Sequence, residues 1–136
     1  MSYDNLRNLV PKDKFDIEPI SRLMEISEDD IQPILPELLS WIADMNWPVA
    51  QEMIKVLPRF SRSLLPLVKE QLQPEEKDGM LKYFIITDLI PELSSSVQLE
   101  LLADILRIID NPTDDENDIS ILNVAKRCKR KIEQDN

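Results

Sequence analysis

The chain has 136 residues, 43% of them hydrophobic and 31% charged, which suits a single domain over residues 1–136 with a buried core. One Gly against ten Pro disfavours strand-and-turn folds, which need Gly for positive-φ turns, and suits helices on short loops, which Pro can start. A net charge of −10, no His and one Cys exclude His-based triads, His metal sites, zinc ribbons and intrachain disulfides, and they set the chain against nucleic acid and anionic membranes.

The start, Met1 to Asn5, carries no basic or apolar leader, and no apolar run reaches membrane-spanning length, so a cytosolic protein is expected. Leu6 to Lys14 is a polar lead-in whose Leu6, Leu9 and Val10 can cover one end of a core. From Asp16 to Ile26, Ile17, Ile20, Leu23, Met24 and Ile26 recur at helical spacing, with Asp16 as N-cap and Pro19 in the first turn. Glu28-Asp29-Asp30 precedes a helix striped by Ile31, Ile34, Leu35, Leu38, Leu39, Ile42 and Met45, its opening bent by Pro33 and Pro36. Asp44 to Pro48 then makes a tight corner. Asn46 is placed to cap a second, antiparallel helix carrying Val49, Ala50, Met53, Ile54 and Leu57.

The construction recurs. Ser61-Arg62-Ser63 is placed to cap a helix with Leu64, Leu65, Leu67, Val68 and Leu72, Pro74 to Gly79 turns the chain, and Met80 to Ile90 forms a strongly apolar helix. Ser94-Ser95-Ser96 caps a helix from Val97 to Ile109, and Asn111-Pro112-Thr113 ends it. Asp114 to Asp118 leads into a last helix with Ile121, Leu122, Ala125, Cys128 and Ile132. Seven helical segments result. Met24, Met45, Met53 and Met80 fall on their apolar stripes and Cys128 reads as a small core residue.

Ile34-Leu35-Pro36 and Leu64-Leu65-Pro66 lie 30 residues apart, and the helices after Asn46 and Asp78 align at an offset of 32. One helical hairpin cannot bury its own apolar face, so a recurring hairpin implies stacking. Leu9 to Asp16, Leu39 to Ala50, Lys82-Tyr83 and Asn111-Pro112-Thr113 together resemble an uncharacterised bacterial family, domain of unknown function 5071. The segment from Trp41 to Ala50 is the most specific part of the match. The resemblance implies an all-α fold, a short right-handed α-α superhelix of about three HEAT-like helix pairs with an N-terminal capping helix. It implies no reaction. The family pattern has an aromatic residue where this chain has Leu81, so a pocket lined by that aromatic would be altered here.

Both tryptophans fall at the corner, so Trp41, Asp44, Asn46 and Trp47 are the sharpest cluster. They read first as a braced turn with a capping Asx, and second as an aromatic interface. The second helices of the pairs, Pro48–Leu57, Met80–Ile90 and Ile119–Ile132, are expected to line a concave face, with Gln51, Glu52, Lys55, Lys82, Tyr83 and Asp88 as candidate contacts. The leading expectation is a protein-binding module or adaptor that uses no cofactor and whose partner is another protein, possibly basic. An immunity-type inhibitor of a basic toxin domain is one version. An enzyme using Asp44 near Trp47 is the reading of another class, disfavoured because no poised acid–base pair is visible. The basic run Lys126 to Lys131, after acidic residues from Asp110 to Asp118, reads as charge matched to a helix dipole.

Overall fold

The computed structural model describes residues 3–135, so the expectation resting on Met1 and Ser2 lies outside them. Among the described residues every regular element is a helix. The α-helices are α1 (Tyr3–Arg7), α2 (Glu18–Arg22), α3 (Glu28–Ile31), α4 (Leu35–Ser40), α5 (Pro48–Val56), α6 (Ser61–Gln71), α7 (Gly79–Phe84), α8 (Ser95–Asp110) and α9 (Ile119–Asp135). The predicted segments are all present, but proline breaks several of them. Pro33 sits in a 3₁₀ turn, Gln32–Ile34, between α3 and α4, and Pro58 sits in another, Leu57–Phe60, between α5 and α6. Pro91 ends the α7 segment. Its ring cannot pack over the Thr87 carbonyl, and the helix widens into a π-turn, Ile85–Leu89, just before it.

Several caps differ from expectation, because a nearby backbone group outcompetes the helix end for the side chain. Asp16 accepts the Lys12 N–H at 2.9 Å, and α2 starts after Ile17 without a side-chain cap. Asn46 caps nothing: the N-cap of α5 is Trp47, and Pro48 needs no donor partner. Ser61 is the first residue of α6, and its hydroxyl donates to the Pro58 carbonyl at 2.7 Å. Glu28 to Asp30 form the first turn of α3 rather than a lead-in, with Ser27 accepting the Asp30 N–H at 3.1 Å. Ser94 and Asn111 do bound α8, although the Ser94 side chain makes no cap bond.

The buried side chains from Leu6 to Ile132 form one cluster. α8 contributes Val97, Leu101, Ile105 and Ile108 at spacings of four, four and three, and each such burial stabilises by about 1.5–3 kcal/mol before entropy is counted. Cys128 is in the core as expected. Of the methionines Met53 is buried and Met45 half-buried, but Met24 and Met80 are 50% and 56% exposed, at the edges of their stripes.

Helices pack on neighbours in chain order: α2 on α5, the Trp41–Ala43 turn on α5 and α7, α6 on α8, and α9 on α7 and α8. Several polar ties reach 30 to 38 residues along the chain. Arg7 pairs with Glu37 across 30 residues, Gln32 with Ser63 across 31, and Ser61 with the Ser94 N–H across 33. Lys82 meets Glu116 across 34, Lys69 meets Asp104 across 35, Arg59 meets the Leu23 carbonyl across 36, and Arg62 meets Glu100 across 38.

Candidate functional site

The corner is built by local bonds. The Asp44 carboxylate accepts the Asn46 N–H at 2.9 Å and its carbonyl accepts the Trp47 N–H at 3.1 Å, an Asx turn closed on itself. The Gln51 amide donates to the Met45 carbonyl at 3.2 Å, and the Val49 N–H ties the corner to the Lys14 carbonyl at 3.0 Å. Trp41 packs against the core and meets Trp47 edge to face, with centroids 5.8 Å apart and planes at 71°. Both rings are half-buried.

Lys82 corrects an expectation. It does not face a ligand: it is 2% exposed and closed inside the protein. Its ammonium donates to the carbonyls of Gln73 and Glu76, each at 3.2 Å, and to Glu116 Oε2 at 2.7 Å. Three donors meet three acceptors. Glu116 is 1% exposed. Its Oε1 accepts from Arg107 and from the Thr113 N–H at 3.0 Å, and its Oε2 accepts from Lys82 and from Arg107 at 2.8 Å. Burial alone would raise the Glu116 pKa. The bonds from Arg107, Lys82 and Thr113 outweigh it and bring the carboxyl down to about 2. Arg107 also donates to the Leu72 carbonyl at 2.7 Å. With every lone pair of Glu116 engaged, this centre offers nothing to a substrate. It locks α7, α8 and the Thr113–Glu116 turn together.

Glu116 was hidden in an acidic run that sequence reasoning assigned to a helix dipole. A signal was present. Thr113-Asp114-Asp115-Glu116 has the spacing of a capping box, and Thr113 Oγ1 does accept the Glu116 N–H at 3.2 Å in return. Here the box closes a turn instead of starting a helix.

The other candidates stand in separate clefts. Glu52 and Lys55 pair at 3.2 Å beside a groove of about 480 Å³ floored by Ile17, Ile20, Met24 and Val56. Tyr83, edge to face with Phe84 at 5.1 Å, lines a groove of about 520 Å³ with Met80 and Ile121, edged by Asp115 and Asp118. Trp41 borders a third cleft with Arg7, Lys12 and Glu37. Leu81 is buried in the core. Asp88 is half-buried in the π-turn, and burial raises its pKa. Asn46 is exposed at the tip of the corner. No helix among the described residues is long and apolar enough to cross a membrane.

Comparison with curated proteins finds no match. A family model described as domain of unknown function 5071 matches residues 9–128, a span that takes in the corner, the buried ion centre and most of α9. The chain belongs to that family.

Proposed function

We propose that the protein is a binding module that takes a basic segment of a partner protein in the groove between α7 and the start of α9. The observation that carries this reading is the lining of that groove. Met80, Tyr83, Phe84 and Ile121 form an apolar floor, Met80 is 56% exposed, and Ile119 beside it is 76% exposed. Asp115 and Asp118 stand at the edge, next to exposed Asp114. An apolar floor under a carboxylate rim suits a cationic segment with one apolar anchor. Lys77 pairs with Asp115 at 3.0 Å, but both are well exposed, so an incoming cation displaces it at small cost.

The ladder of polar ties supports reading the fold as a short HEAT-like superhelix of about three pairs in a bacterial, cytosolic protein. An immunity-type inhibitor of a basic toxin domain is one form that such a module takes. A labelled Lys/Arg-rich peptide with one central Leu tests the reading. Binding that weakens about tenfold in Met80→Lys and falls with added salt is expected. Equal affinity for an acidic control peptide, or no change in the variant, overturns it.

A further inference from the structure

The last helix carries a second face, and its charge has no structural explanation. α9 has five cations and two carboxylates, net +3, on a chain whose remaining residues sum to −13. The helix-dipole account covers the start of α9, where the Asp118 carboxylate accepts the Ser120 N–H at 2.8 Å, but it fails at the other end. α9 has no basic residue in its last turn, where Glu133 and Asp135 stand instead. Lys126 and Arg127 lie more than two turns before that end, beyond the reach of the terminal dipole.

Ion pairing does not account for them either. Among the described residues, nine of the sixteen cations pair with carboxylates. Lys129 does so with Glu133. Among the described residues no carboxylate stands within pairing distance of Lys126, Arg127, Arg130 or Lys131, although the chain has ten more acids than bases. These four occupy positions i, i+1, i+4 and i+5, one continuous stripe opposite the buried Ile121, Val124, Cys128 and Ile132. At the edge of the stripe, Arg127 and Lys131 line a cleft of about 230 Å³ with Ile86, Pro91 and Val124 on its apolar side and Thr87 beside them. That volume suits one or two side chains, not a folded surface.

We propose that this stripe and cleft bind a short acidic protein segment, with one aliphatic side chain in the cleft and carboxylates on Arg127, Lys131 and the cations beside them. Arg127 can take a carboxylate with two parallel N–H donors. A short segment fits the charge distribution better than nucleic acid does. The −13 on the rest of the chain repels a long polyanion, whereas it is screened beyond roughly 8 Å at physiological salt. The stripe also has no aromatic residue on which a base could stack. This surface is independent of the groove at Tyr83, and either can fail without the other.

Fluorescence anisotropy on the full chain tests it, using a labelled Asp/Glu peptide with one central Leu, its Asn/Gln counterpart and a short oligothymidylate. The acidic peptide is expected to bind best, and to bind about tenfold or more weakly in Arg127→Glu/Lys131→Glu. Lys126→Glu/Arg130→Glu, which leaves the cleft intact, repeats the test with a smaller loss, and circular dichroism checks that both variants keep their helix. Met80→Lys is expected to change nothing. Binding of the acidic peptide no better than its neutral counterpart, unchanged affinity in both reversal variants, or tighter binding of the oligothymidylate overturns the proposal.

Discussion

The Trp41–Pro48 corner and the Lys82–Glu116–Arg107 centre do the same job, joining helices, by opposite physics. The corner uses neighbours in sequence: an Asx turn, a proline start and two rings edge to face, all half-exposed. Its parts tolerate water, so each is worth little alone. The ion centre unites half-buried Gln73 and Arg107 with Lys82 and Glu116, which are all but closed to water. Its bonds are charge-assisted, and Lys82 or Glu116 left alone would be a buried, unpaired charge. A loss at the corner should therefore be graded, and a loss at the centre should approach all-or-none.

The largest effect is expected at Glu116. Glu116→Ala leaves the Lys82 ammonium buried with only the Gln73 and Glu76 carbonyls and should destabilise by about 3–5 kcal/mol, read from the denaturant midpoint. A loss below that of any corner substitution would dissolve the contrast. Trp41→Ala comes next, at about 2–3 kcal/mol, because the ring packs on the core yet is only half-buried. Trp47→Ala should cost about 1 kcal/mol, mostly the edge-to-face contact. Asp44→Ala, which frees one exposed N–H, should cost roughly 0.5–1 kcal/mol in the same assay.

Acid sharpens the comparison further. The Glu116 carboxyl falls from its ordinary 4.5 to about 2 in the folded protein. Its contribution to stability is thus complete above pH 4.5 and lost as pH drops toward 2. The gap between native protein and Glu116→Ala is expected to narrow across that window, while the gap for Trp47→Ala stays flat. Parallel curves for both variants would show that the centre does not hold its proton back in this way.

The same contrast explains what could be read beforehand. Helix stripes and the corner depend on residues a few positions apart, and they stand where the spacing placed them, from Val49 and Met53 on α5 to Cys128 on α9. Caps were less legible, because Asp16 and Ser61 each had two backbone groups within reach and took one outside the helix they were placed to start. Lys82 was misplaced for a deeper reason. Its burial is tolerated only because Glu116, 34 residues on, meets it, and no local pattern announces that meeting. Of the proposed surfaces, Tyr83 was named in advance. The basic stripe is also visible in the sequence, and only the far end of α9, where Glu133 and Asp135 stand, removes its ordinary explanation.

The reach of the polar ties has a consequence for how such a chain can lengthen. Each of those ties spans 30 to 38 residues, the reach expected between neighbouring pairs in the proposed stack. Duplicating one whole pair would leave the helices on either side of the insertion facing the kinds of neighbour they already have. Adding two or three residues inside a helix would instead rotate one side of every later tie away from its partner. The architecture thus accepts growth in whole units and resists it in fractions.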